Sequence, residues 1–193
     1  IIVTGYKSKK LKPFIKKNKF KEIKNSNYKN TNMVYSAFKC YRHVVSDVVV
    51  CYSDIIFDHR IYDNLKSHKN IVPLKKNWLK IWKGRMGAKR IKRDAENIVV
   101  KKNKIISIGQ KIQNQLPKYQ YMGIIKLKLK DYKKLYFFYK KLNNKKIDFT
   151  SFLDKAIKKN IIKLGTIFTN KDWFEIDNIR DISFTERRLW LYG

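Results

Sequence analysis

Apolar positions along the chain recur with two spacings, near two residues and near 3.6, and the switches between them outline an alternating order of strands and helices. Ile1 to Thr4 reads as a short buried strand closed by a Gly turn, Lys7 to Lys17 as a basic amphipathic stretch interrupted by Pro13, and Phe20 to Ile23 as a second strand. Asn25 to Asn32 is polar and turn-rich; beyond it Met33, Val34, Ala37, Phe38 and Tyr41 fall at helical spacing, with Thr31 or Asn32 available as the N-cap. The run Val48-Val49-Val50-Cys51 is that of a strand buried on both faces, and a short helix beginning near Asp58 separates it from a second run at Ile71 to Leu74. Ile98 to Val100 and Ile105 to Ile108, joined through Lys101 to Lys104, predict an antiparallel hairpin. Tyr121 to Leu127 predicts another strand, and Leu135, Phe138, Tyr139 and Leu142 mark the apolar face of a helix. Phe152, Leu153, Ala156 and Ile157 mark a further helix, Leu164 to Phe168 and Trp173 to Ile176 two late strands, and a terminal helix is expected from near Asn178 towards Leu191. The pattern predicts an α/β fold with a mixed sheet, and no linker long enough to divide it, so one domain is expected over 1–193.

Composition changes this picture in two places. The 46 Lys and Arg against 15 Asp and Glu give a net charge of +31, the footprint of a partner that is nucleic acid or an anionic membrane. The lysines, however, spread through Lys7 to Lys21, Lys75 to Lys104 and Lys126 to Lys163 and form no single basic motif. Lys, Asn, Ile, Tyr and Phe are abundant together, as AT-rich coding sequence produces whatever the function. The reading is therefore of solvated faces and a positive field that attracts phosphorylated substrates, with nucleic acid a rival class. No apolar run approaches the roughly 18 residues that cross a bilayer, and the opening residues carry no signal-peptide features, so a cytoplasmic protein is expected. Cys40 and Cys51 are read as two reduced, buried thiols. His43, His59 and His68 share no metal spacing, and neither a GxSxG elbow nor a Cys/His signature supports a hydrolase.

The chemistry-bearing residues are carboxylates at strand ends. An apolar strand that ends in Asp54 presents that carboxylate at the carboxyl edge of the sheet, where open α/β folds place their ligand crevice. In Trp173-Phe174-Glu175-Ile176-Asp177 strand alternation sets Trp173, Glu175 and Asp177 on one face. Two carboxylates converging on one Mg²⁺ suit a hard cation that takes oxygen ligands and keeps part of its hydration shell. Taken singly, each Asp is more simply a turn former or helix cap. Gly84-Arg85-Met86-Gly87 lacks the strand-to-helix context of a phosphate loop and reads as a surface loop.

Read in order, these segments resemble the small-molecule nucleotidyltransferases, in particular the phosphocholine cytidylyltransferase-like branch. Ile2-Val3-Thr4-Gly5-Tyr6 is similar to that family's second strand and turn, and Asn25-Ser26-Asn27-Tyr28 with Thr31-Asn32-Met33-Val34-Tyr35-Ser36 to its Asn- and Thr-containing helix start. Val49 to Phe57 resembles the strand whose aspartate binds magnesium. Asp94-Ala95-Glu96, Ile108-Gly109-Gln110-Lys111 and Tyr121 to Lys126 follow in the family's order. Trp173 to Asp177 with Asp181-Ile182 resembles the segment that supplies the second metal carboxylate. The family's Gly-rich phosphate loop would lie before Ile1, so the chain is expected to be truncated at its N-terminus and its activity alone is in question.

The resemblance implies a Rossmann-like, mixed but mostly parallel sheet with helices on both faces and a hairpin insertion, of the nucleotide-diphospho-sugar transferase type. It implies attack of a substrate phosphate oxygen on the α-phosphorus of a nucleoside triphosphate, CTP favoured, with release of pyrophosphate and phosphocholine or a similar phospho-alcohol as acceptor, in the supply of groups for surface polysaccharide or lipid. Asp54 and Asp177 would hold Mg²⁺. Asn32 and Ser36 would hydrogen-bond nucleotide or substrate, with capping of their own helix the plainer alternative. Tyr121 and Trp173 would wall a cationic head group, with core packing the alternative, and Glu96 and Glu175 would meet an amine or sugar hydroxyl. A sugar 1-phosphate acceptor is the near alternative; a basic nucleic-acid- or ribosome-binding protein and a non-catalytic binding module are those of other classes.

Overall fold

A computed structural model describes residues 1–189. In chain order the strands and helices are β1 (Ile2–Thr4), α1 (Lys12–Lys17), β2 (Glu22–Lys24), α2 (Met33–Lys39), β3 (Val48–Cys51), β4 (Ile55–Phe57), α3 (His59–Lys66), β5 (Ile71–Lys75), α4 (Trp78–Met86) and α5 (Ala88–Asp94). They continue as β6 (Glu96–Lys101), β7 (Lys104–Lys111), β8 (Gln120–Tyr121), β9 (Ile124–Leu127), α6 (Leu129–Leu142), α7 (Phe149–Lys158), β10 (Gly165–Thr169), β11 (Trp173–Glu175) and α8 (Ile179–Leu189). The chain forms two compact units, one of Ile1–Val48 with Lys128–Ile162, the other of Val49–Leu127 with the chain from Lys163 onward.

In the first unit β1 and β2 pair in parallel, Val3 opposite Ile23. Its core is aromatic, because α2, α6 and α7 each present large rings on one face. Phe38 lies 5.4 Å from the rings of both Tyr132 and Tyr139 and meets Phe152 edge-on, the geometry that ring quadrupoles favour. The Tyr132 hydroxyl donates to the Ala37 carbonyl at 2.9 Å, so the one polar atom of that buried ring is satisfied. Asp148 starts α7 by accepting from the Ser151 amide at 2.8 Å, and Asn143 ends α6 in the left-handed conformation that an Asn tolerates.

The second unit holds a mixed sheet in the order β3-β9-β5-β10-β7-β6, with β8 also on β5. Strand β10 runs parallel to β5, with Thr166 opposite Val72; β8 and β9 run antiparallel to β5, and β7 antiparallel to both β10 and β6. The mixed α/β class and the hairpin are those the periodicity predicts. The hairpin is longer than the apolar run, because Lys101 pairs with Lys104 and only Lys102 and Asn103 turn, both at positive φ as a primed two-residue turn requires. All five residues of β5 are buried, Lys75 included. Trp78, Ile81 and Trp82 of α4 join Ile61, Leu65, Met122, Trp173 and Phe174 in the core.

Several expectations are corrected here. Residues 84–87 are not a surface loop: Gly84, Arg85 and Met86 complete α4, and a Cβ at Gly84 would lie 3.0 Å from the Phe184 ring, so the glycine lets α4 approach α8. Tyr121 to Leu127 is not one strand; Gly123 breaks it at φ +74°, where a Cβ would meet Tyr52 at 2.8 Å. Cys40 is buried as expected, whereas Cys51, at the end of β3, is exposed. Helix α8 is described to Leu189, and the expected extension to Leu191 lies outside the described residues.

Candidate active site

The acidic residues meet at the end of a two-stranded ribbon. Strand β11 pairs antiparallel with β4, Glu175 opposite Ile55, and one step further the Ile176 amide donates to the Asp54 carbonyl at 2.8 Å. Asp54 and Asp177 therefore leave neighbouring chain ends. The ribbon is fixed from behind. The buried ammonium of Lys75 donates to the carbonyl of Asn170 at 2.8 Å and to that of Lys171, anchoring the turn that leads into β11. Burial brings the Lys75 amine down to about 8, against the opposing pull of Asp172.

Between the carboxylates lies Arg85, whose side chain is 2% exposed. Its Nη1 donates to Asp177 Oδ2 at 2.7 Å, to Asp181 Oδ2 at 3.1 Å and to the Glu175 carbonyl at 3.3 Å, and its Nη2 to Glu175 Oε2 at 2.9 Å. The guanidinium also sits 5.4 Å from the Trp82 ring centroid. Asp181 Oδ2 closes the arrangement by accepting from the Asp177 amide at 2.9 Å and from the amide and side chain of Asn178, which fastens the start of α8. Burial pushes the Glu175 carboxyl up to about 8; Arg85 pulls against this, and the charges of Asp177, Asp54 and Asp181 add to the rise. Burial outweighs the pull of the guanidinium, which is why an ion pair at 2.9 Å coexists with a raised pKa.

The donor set fits a hard divalent cation. Asp54 is exposed and its carboxylate has no hydrogen bond or ion pair among the described residues; Asp177 is half-exposed, and its described bond uses Oδ2. No group of three or more potential metal ligands gathers among the described residues, so the protein would offer two carboxylates and leave the other positions to phosphate oxygens and water.

The other predicted residues serve the fold in this structure. Trp173 is fully buried, stacks 6.4 Å from Trp82 and donates its indole N–H to the Met122 carbonyl at 3.0 Å, so no face is open to a cationic head group. Tyr121 is buried edge-on against Tyr52, and burial, with Tyr52, Cys51 and Glu96 nearby, holds its hydroxyl well above the usual phenol range. That hydroxyl has no hydrogen-bond partner. Both rings follow the core-packing alternative. Glu96 opens β6, half-buried, near Tyr121.

In the first unit, Asn32 is the N-cap of α2, accepting from the Met33 amide at 2.7 Å and donating to the Lys146 carbonyl at 3.3 Å. Ser36 accepts at 3.1 Å from Asn25, which also donates to Thr31. This unit also has an open cleft of about 500 Å³ beyond the carboxyl ends of β1 and β2, lined by Gly5, Lys7, Ser8, Lys9, Lys10, Lys24, Ser26 and Tyr28, whose lining surface is mostly apolar.

Sequence reading missed Arg85. Its signal was present, since Trp78, Ile81, Trp82 and Arg85 recur at helical spacing and place the arginine on the buried face of α4.

No protein-family profile matches the sequence, and no curated protein matches it. Solved structures do. The inositol-1-phosphate CTP transferase from T. maritima superposes with a TM-score of 0.72 at 18% identity, over 96% of this chain and 74% of that one. This chain has a nucleotidyltransferase fold. The CTP:phosphocholine cytidylyltransferase LicC from Streptococcus pneumoniae gives a TM-score of 0.71 at 14% identity over 97% of this chain and 77% of that one. A UDP-glucose pyrophosphorylase complexed with UDP-glucose gives 0.64 at 12% over 98% and 80%. The same fold is therefore shared by chains only 12–18% identical to this one. No helix among the described residues is long and apolar enough to cross a membrane.

Proposed function

We propose that the protein is a nucleotidyltransferase that moves a nucleoside monophosphate, CMP from CTP, onto a phosphorylated small alcohol such as phosphocholine and releases pyrophosphate. The observation that carries this reading is the pairing of β4 with β11, which brings Asp54 and Asp177 to one place in a chain with this fold. An acceptor phosphate oxygen attacks the α-phosphorus, the bond to the bridging oxygen breaks, and pyrophosphate leaves with the electron pair; catalysis of this kind needs positioning and charge neutralisation more than a covalent intermediate. Asp54 and Asp177 would hold Mg²⁺, which when bound neutralises charge on the phosphates.

A sugar 1-phosphate acceptor would use the same chemistry. Pyrophosphate release from each of the four ribonucleoside triphosphates, offered with phosphocholine or with glucose 1-phosphate in the presence of Mg²⁺, tests the reading. Turnover with CTP and phosphocholine, lost in D54N and D177N, is expected. The absence of pyrophosphate from every pairing, together with tight, salt-sensitive binding of single-stranded nucleic acid, would instead favour a nucleic-acid partner for the +31 charge.

A further inference from the structure

We propose that Arg85 is a positioning residue that sets Asp177 for a divalent cation before the cation arrives; the proposal rests on the nucleotidyltransferase reading and deepens it. Asp177 is held twice. Its Oδ2 accepts from Arg85 Nη1 at 2.7 Å, and its amide donates to Asp181 Oδ2 at 2.9 Å, the oxygen that Arg85 also holds at 3.1 Å. Side chain and backbone of the ligand are thereby tied to one guanidinium, which is itself buried and packed over Trp82. The described bond engages a single oxygen of Asp177, so the carboxylate is oriented without being consumed. Fixing a ligand's rotamer in advance removes the ordering cost from the binding step.

Charge and geometry both select arginine here. Asp177 and Asp181 flank Arg85, with Asp54 on the adjoining strand end, so three aspartates face one guanidinium and the cluster keeps a net negative charge that attracts a cation without any contribution from Glu175. The two terminal nitrogens divide the work, Nη2 reaching Glu175 and Nη1 reaching Asp177 and Asp181, a fork that a lysine ammonium does not reproduce.

The test is Mn²⁺ affinity, read by electron paramagnetic resonance of the free ion, in R85K and D181N. Arg85→Lys keeps the charge, so a change in affinity reports geometry; Asp181→Asn loosens the same clamp from the other side. Each folded variant is expected to bind Mn²⁺ about tenfold more weakly than the wild type, the lower end of what losing an outer-shell partner costs. Affinity within about twofold of wild type in either folded variant overturns the proposal, since an arginine that only supports the fold leaves a folded variant's affinity unmoved. In the unaltered protein, the guanidinium ¹⁵N resonances of Arg85 are expected to move on addition of Mg²⁺; unchanged resonances overturn the proposal without any variant. Wild-type Mn²⁺ affinity in D54N marks a different failure, that of the metal site itself.

Discussion

Replacing Arg85 with methionine removes the one positive charge buried among three carboxylates, and the cost depends on pH in a way the structure sets. Methionine fills much of the arginine stem, so packing over Trp82 is largely kept and the loss is electrostatic. Breaking a buried ion pair by removing one partner costs roughly 3–5 kcal/mol. The contribution at Asp177 is discounted because its side chain is 45% exposed and solvent screens it. Asp181 keeps three donors from Asp177 and Asn178. Glu175 is then the residue that decides, and with its carboxyl up at about 8 it is largely neutral at pH 6 and ionised at pH 9. Arg85→Met is therefore expected to destabilise by about 3–5 kcal/mol at pH 9 and by about half as much at pH 6. Urea unfolding followed by tryptophan fluorescence at the two pH values measures both. A loss below about 1 kcal/mol at pH 9, or a larger loss at pH 6 than at pH 9, would refute the reasoning.

Glu175 supplies a second test. Its folded pKa of about 8 lies above the ordinary 4.5, so the stability it contributes is fully present below 4.5 and is lost as pH rises through 8. Glu175→Gln, neutral throughout, should gain on the wild type across that window by a few kcal/mol, and a constant difference in unfolding free energy between the two proteins argues against the shift. Gly123→Ala puts a Cβ 2.8 Å from the Tyr52 ring at a φ of +74°, and a melting temperature lowered by several degrees is expected where an exposed Gly→Ala change would leave it level or raise it. In the first unit, Phe152→Ala empties a fully buried ring site between Phe38, Phe138 and Tyr139 and should cost about 3–5 kcal/mol in urea unfolding; a loss under about 1 kcal/mol would mean that the aromatic cluster does not hold that unit together.

Periodicity carried the fold a long way because the strong signals were one-sided. The β6–β7 hairpin and the apolar face of α6 each repeat at a single period and form where the spacing puts them, whereas Val48 to Cys51 forms a strand that is half-exposed and not buried on both faces. The end of helix α4 escaped because Gly84 and Gly87 bracket Arg85 and Met86 and read as a surface loop, whereas Trp78, Ile81 and Trp82 form the core face that carries Arg85 inward. Strand β4 escaped because three residues are too short to show alternation; only pairing with β11 makes it a strand. Asp54 and Asp177 stood out at the edges of apolar segments, and it is the resemblance that gave them a shared role. Their neighbour Asp181 stood in the motif, but its part in tying Asp177 to Arg85 depends on contacts 92 and 96 residues apart in sequence, beyond the reach of local pattern. Trp173 and Tyr121 were drawn towards the ligand by the motif around them, while the cost of exposing such large apolar rings to water keeps both in the core.

The account depends on Asp54 and Asp177 sharing one cation. Crystals grown with Mn²⁺ and a non-hydrolysable CTP analogue locate that ion by its anomalous scattering. A single peak within bonding distance of a carboxylate oxygen of each aspartate is the predicted result. An ion held elsewhere, with Asp177 bound only to Arg85 and Asp54 left in solvent, would contradict it.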